Sequence, residues 1–137
     1  MKVAINYGLR NVGITGKNPC VGCVIVKNNE LCGFGVTSPG GRPHAEENAL
    51  KFAGKKSKDA VLYVTLEPCN HHGKTPPCTK KIIKSGIKEV FYSMNDIDKK
   101  VKGKSFKILT KNKIKVNRGL LKSLSKDFYK SYNINRK

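Results

Sequence analysis

The chain has 137 residues, 38% of them hydrophobic, with 28 Lys/Arg against 9 Asp/Glu and a net charge of +19. That length fits one domain able to bury a single sizeable core. No stretch approaches the 18 apolar residues of a membrane span, and the first 19 residues, MKVAINYGLRNVGITGKNP, lack the apolar block and small-residue cleavage site of a secretory signal. A cytoplasmic setting is the expectation. Five cysteines, an odd count without a signal peptide, argue against a disulfide framework and toward metal binding or burial. The charge is uneven: residues 1–68 carry 9 Lys/Arg against 5 Asp/Glu, and residues 69–137 carry 19 against 4. Such a bias can mark a polyanion-binding surface, but the lysines are spread rather than blocked, as on solvated helix faces.

Helix and strand patterns alternate along the chain, which points to an α/β layer fold. Residues 3–12 place Val3, Ile5, Leu9 and Val12 at mostly helical spacing, and Asn18-Pro19 then breaks the chain. The apolar run 20–26, the pair Asn28-Asn29 and the run 31–36 read as a hairpin. A turn-rich loop from Thr37 to Pro43 leads to a helix starting near His44, running to about Ala53 and stopped by Gly54. Residues 60–66, AVLYVTL, form a buried strand, and loop 67–77 precedes a helix from about Pro77 to Ser85, stopped by Gly86. Residues 88–93 read as a strand, 104–111 as a helix, 113–117 as a short edge strand and 119–130 as a final helix, with a polar tail from Ser131.

Three segments carry chemistry: Pro43-His44-Ala45-Glu46, Leu66-Glu67-Pro68-Cys69 and Pro76-Pro77-Cys78. One His and two Cys suit Zn²⁺, and three protein ligands leave a fourth position open, as in a catalytic site. Zinc there makes a nucleophile from water near neutral pH. Glu46, two residues after His44 in the first helical turn, is placed to accept a proton from that water without ligating the metal. The order H-x-E…P-C…C is the signature of zinc deaminases, in which Glu is the acid/base. Each residue has an ordinary explanation alone, as a helix-start histidine, buried thiols or a helix-dipole carboxylate; the three motifs in this order do not. Cys20, Cys23 and Cys32 read as small core residues, because Cys20 and Cys23 fall within the expected strand, three apart, on opposite faces. Glu67 reads as a brace for the ligand loop, and Glu47 as solvent-facing.

On these residues the chain resembles the deaminase domain of the bacterial riboflavin-biosynthesis deaminase/reductase, over almost its whole length. The matching segments are 18–26, Gly33-Phe34-Gly35, Gly41-Arg42-Pro43-His44-Ala45-Glu46 and the run Tyr63 to Cys78, whose eight residues between the cysteines distinguish this branch from the two found in most zinc deaminases. Asp96, Gly103 and Gly119-Leu120-Leu121 also match. The resemblance implies a cytidine-deaminase-like three-layer α/β/α sandwich with a mixed sheet of about five strands. It implies hydrolytic deamination of 2,5-diamino-6-(ribosylamino)pyrimidin-4-one 5′-phosphate to 5-amino-6-(5-phosphoribosylamino)uracil, one Zn²⁺ per chain on His44, Cys69 and Cys78, and self-association into a homo-oligomer. It places Asn18 on the pyrimidine and His71 and Lys74 at the phosphate, with Asp96 among the substrate residues. A cation and a hydroxyl, Lys74 and Thr75, in a Gly/Pro-shaped loop beside the metal also suit an anionic ligand on physical grounds.

Two departures stand out. Asp96-Ile97-Asp98-Lys99 replaces the family's Asp-Pro-Asn-Pro, which puts substrate contacts from that loop in question. The chain also has no Gly-rich dinucleotide segment, so the expectation is a single deaminase domain over 1–137 without an NADPH site, the family's reductase being either a separate protein or a part cut from this sequence. The +19 charge favours a rival, a tRNA-adenosine type of nucleic-acid deaminase, which the eight-residue spacer opposes. A non-catalytic zinc or nucleic-acid-binding module is opposed by Glu46, which such a site has no use for.

Overall fold

The computed structural model describes residues 1–99 and 101–130. Five strands form one mixed sheet: β1 (Gly22–Lys27), β2 (Glu30–Val36), β3 (Val61–Leu66), β4 (Glu89–Met94) and β5 (Lys115–Arg118), in the order β2-β1-β3-β4-β5. β1 runs antiparallel to β2 and β3, whereas β3, β4 and β5 are parallel. Five α-helices complete the fold: α1 (Lys2–Leu9), α2 (Ala45–Ala53), α3 (Cys78–Ser85), α4 (Lys104–Lys111) and α5 (Lys122–Phe128). α2 packs on β1 and β2 and touches α3, which in turn touches α4; α1 covers β1 and β3 from the other face, with α5 against β4. This is the expected three-layer sandwich. Its core is built from Cys23, Ile25, Leu62, Val64, Val90 and Tyr92 of the inner strands with Ala45, Ala49, Ile82 and Leu109 of the helices. The described residues include no helix long and apolar enough to cross a membrane.

Local chemistry accounts for most element ends. Asn28 and Asn29 both adopt positive φ, 51° and 62°, as the two-residue turn of a right-twisted hairpin requires. Gly86 closes α3 in the left-handed conformation at φ 79°. Other ends differ from the sequence expectation. The first helix stops at Leu9 instead of continuing to residue 12. The first strand begins at Gly22, so Cys20 precedes it, with its thiol donating to the Gly8 carbonyl at 2.7 Å, while Cys23 is fully buried in the core. The final helix starts at Lys122 rather than 119, because Gly119 and Leu121 take φ of 87° and 55°, which no right-handed helix accommodates. The polar tail expected from Ser131 lies outside the described residues.

What seats α2, and with it the site, is the near absence of side chains between it and β2. Gly33 and Gly35 lie under Ala45, Ala49 and Ala53, one small residue per turn. A Cβ on Gly35 would lie 2.3 Å from the Ala45 carbonyl oxygen, and one on Gly33 would lie 2.6 Å from that of Ala49. The helix therefore rests on bare strand backbone.

Candidate active site

The site lies where β3 ends and α2 and α3 begin, beyond the carboxyl ends of the parallel strands, the usual place for a site in an open α/β sheet. His44 is the N-cap of α2, with φ −69° and ψ 159°. Cys69 follows β3 by three residues, and Cys78 is the first residue of α3, with Pro77 as its N-cap. The first N–H groups of a helix have no partner within it; in α3 they are spent on the ligand loop. The Cys78 N–H donates to Cys69 Sγ at 3.2 Å and the Thr79 N–H to the Cys69 carbonyl at 3.1 Å. The two helices that bring ligands are joined by an ion pair of 2.6 Å between Lys81 and Glu47, so Glu47 faces α3 rather than solvent alone.

His44 Nδ1 lies 3.4 Å from Cys78 Sγ and 3.7 Å from Cys69 Sγ, and all three ligand atoms fall within 4.8 Å of one another. Among the described residues no other group of His, Cys, Asp or Glu gathers in this way. Cys20, Cys23 and Cys32 stand apart from it. The donor set, one imidazole nitrogen and two sulfurs with no fourth protein ligand, fits zinc with an open coordination position. The Cys69 thiol is drawn down to about 4 by hydrogen bonds from Cys78 and His44 that outweigh its burial, so the cluster readily gives up a proton to a metal. The bonded Cys69 also raises His44, against the effect of burial.

Glu46 is 4% exposed, and the Cys78 thiol close by acts to lower its carboxyl. Burial, together with the nearby Cys69 charge, pushes its carboxyl up to about 7. A dication on the neighbouring ligands would pull that value back down. The carboxyl thus stands beside the ligands without being one of them.

His44, Glu46 and Cys69 line a cleft of about 670 Å³, including its mouth, together with Asn18, His71 and Asp96. Asn18 Nδ2 donates to the Gly41 carbonyl at 2.9 Å, which fixes its amide in the cleft wall. Lys74 is exposed and outside this lining, and Thr75 connects to it only through Arg42, whose guanidinium donates to Thr75 Oγ1 at 2.8 Å. Sequence reasoning missed Arg42 as a cleft residue, although it sits inside the quoted segment Gly41 to Glu46. Asp98, the departure from the family pattern, lines the cleft as well.

Glu67 is the other buried carboxylate, 3% exposed. Its Oε2 accepts the backbone N–H groups of Asp96 at 3.3 Å and Gly103 at 3.0 Å, and its Oε1 that of Ser105 at 3.3 Å. Ser105 and Asn70 complete the join through the Pro68 and Val101 carbonyls. Glu67 therefore ties the loop after β4 to the strand end that carries Cys69, a wider brace than the ligand loop alone. Glu67→Gln turns one acceptor into a donor facing an N–H, and we expect it to cost about 1–3 kcal/mol in urea unfolding; an unchanged midpoint would mean the loop is held by other contacts.

The fold and this cluster define a zinc-dependent deaminase. Residues 1–94 match the cytidine and deoxycytidylate deaminase zinc-binding region. The chain is 48% identical over 132 residues to the diaminohydroxyphosphoribosylamino-pyrimidine deaminase of Buchnera aphidicola from Acyrthosiphon pisum, covering 96% of this chain and 90% of that one. It is 44% identical to the riboflavin biosynthesis protein RibD of Bacillus amyloliquefaciens over 96% of its own length but only 36% of the relative's. The RibD structure of Acinetobacter baumannii superposes with a TM-score of 0.92 at 40% identity, over 96% of this chain and 37% of that one. The chain belongs to the riboflavin-biosynthesis deaminase family within the zinc-binding cytidine and deoxycytidylate deaminases.

Proposed function

We propose that the protein hydrolytically deaminates 2,5-diamino-6-(ribosylamino)pyrimidin-4-one 5′-phosphate, releasing ammonia and 5-amino-6-(5-phosphoribosylamino)uracil. The observation that carries the reading is the meeting of His44, Cys69 and Cys78 beside buried Glu46, with His44, Cys69 and Glu46 lining an open cleft. The Buchnera relative, similar over nearly the whole chain, supplies the substrate class by its name.

His44, Cys69 and Cys78 would hold the zinc, which when bound supplies the Lewis acidity that makes water nucleophilic near neutral pH. Glu46 takes a proton from the attacking water as its oxygen bonds to the pyrimidine carbon bearing the amino group. It gives that proton to the adjacent ring nitrogen. It then takes the second proton of the former water and delivers it to the amine as the carbon–nitrogen bond breaks. The carbon keeps the oxygen as a carbonyl, and the nitrogen leaves as ammonia. Burial raises this carboxyl and a dication beside it pulls it back, and a carboxylate so placed can take a proton and return it. Asn18 and Asp96, in the cleft wall, would orient the ring.

The test is ammonia release from the diaminopyrimidine ribosyl phosphate, with cytidine and a tRNA stem-loop offered in parallel. Turnover of the ribosyl phosphate alone is expected, and turnover of the RNA instead would overturn the reading. Chelation is expected to abolish ammonia release and added Zn²⁺ to restore it. Activity that survives complete metal removal, checked by atomic absorption, would contradict the metal's role.

A further inference from the structure

We infer that Arg42, held by Thr75, fixes the phosphate end of the substrate in this cleft; the inference rests on the deaminase reading above. Arg42 is the one Lys or Arg among the described residues of the cleft lining. It is half-buried, and among the described residues it forms no ion pair. Its side-chain hydrogen bond there is to Thr75 Oγ1, so most of a guanidinium's five N–H donors remain to be matched. A half-buried guanidinium with spare donors is suited to a phosphate, whose oxygens accept in pairs.

The surroundings hold this group in place. Thr75 reaches Arg42 from 33 residues further along the chain, on the loop between the two cysteine ligands. Gly73 of the same loop has no side chain where a Cβ would lie 3.2 Å from Arg42 Nη2, so the guanidinium lies against bare backbone. Arg42 also precedes His44 by two residues, which keeps its backbone near the metal ligands. The remaining charged groups of the lining are mainly carboxylates, Glu46, Glu67, Asp96 and Asp98. Among the described side chains of the lining, Arg42 is therefore the cationic one that offers paired N–H donors to a phosphate, which favours binding an anionic substrate with that end toward it. Lys74, assigned to the phosphate from the sequence, is exposed and lies off this wall. Thr75 acts here as a positioning residue through Arg42.

The zinc-loaded protein is assayed with the ribosyl 5′-phosphate and with its dephosphorylated riboside, and titrated separately with ribose 5-phosphate. Arg42→Ala is expected to raise KM for the phosphate substrate roughly 10- to 100-fold with kcat little changed, as for loss of a charge-assisted hydrogen-bonded pair. KM for the riboside should stay within about two-fold, and ribose 5-phosphate should bind more weakly by the same factor as the phosphate substrate. Arg42→Lys should recover part of the loss, because it restores charge without the fork. Thr75→Val should raise the same KM by a smaller factor. Equal losses for both substrates, no loss for either, or a phosphate-specific loss confined to Lys74→Ala would overturn the inference. If the wild-type protein deaminates neither compound, the reaction assignment fails by itself. The ribose 5-phosphate titration then decides Arg42: weaker binding by Arg42→Ala sustains its role, and unchanged binding overturns it.

Discussion

Glu46→Gln is expected to keep a full complement of zinc while kcat for ammonia release falls by roughly 10²–10⁴-fold, the usual contribution of general acid–base catalysis. The substitution preserves shape in a site where Glu46 is almost wholly buried, so the fold and the three ligands should be undisturbed. What it removes is the ability to take a proton. A carboxylate can accept the water's proton and return it, whereas the amide has no such titrating oxygen. Zinc content by atomic absorption and turnover by ammonia release separate the outcomes. Turnover within about ten-fold of wild type would remove Glu46 from the proton transfers. Loss of zinc with loss of turnover would instead make Glu46 part of what holds the metal.

The metal cluster was legible in the sequence because its grammar is local. Pro-His-Ala-Glu and the two Pro-Cys segments each announce a loop or helix start, and the spacing between the cysteines names the branch. The helix and strand ends set by Gly54, Gly86 and the Asn28-Asn29 pair were readable for the same reason. What escaped depends on partners far apart in the chain. Arg42 gains its meaning from Thr75, which folding brings beside it across 33 positions. Glu67 was readable as a brace for the ligand loop, but its reach was not, because the N–H groups it accepts, from Asp96, Gly103 and Ser105, lie 29 to 38 residues on. The late start of α5 follows from a positive φ at Leu121, a residue whose side chain disfavours that conformation and so gives no local warning. The +19 charge was the least specific signal: among the described residues the one Lys or Arg in the cleft lining is Arg42, while many lysines are exposed.

Gly35→Ala is expected to do more damage to activity than its single methyl group suggests. Gly35 does not need a left-handed backbone, so the effect is steric. The new Cβ would lie 2.3 Å from the Ala45 carbonyl oxygen and 2.6 Å from the Ala49 nitrogen, both backbone atoms of α2. No rotamer change relieves such a contact. To reach ordinary van der Waals separation the helix must lift from β2 by roughly 1 Å. Overpacking of this kind costs about 1–3 kcal/mol in stability. The functional cost is steeper, because the helix that lifts carries Glu46 in its first turn and His44 as its N-cap, while Cys69 and Cys78 stay with β3 and α3. A displacement near 1 Å between a catalytic group and its target can lower turnover about 10²-fold. Denaturant unfolding, zinc stoichiometry and kcat measured on the same preparation give three readings of one movement. The expected pattern is a folded protein with weakened zinc retention and a kcat loss well beyond what its unfolded fraction explains. Wild-type turnover in Gly35→Ala would mean that α2 can find another seat on the sheet without disturbing the site, and that the bare strand surface is a packing convenience rather than the device that aligns Glu46 with the metal ligands.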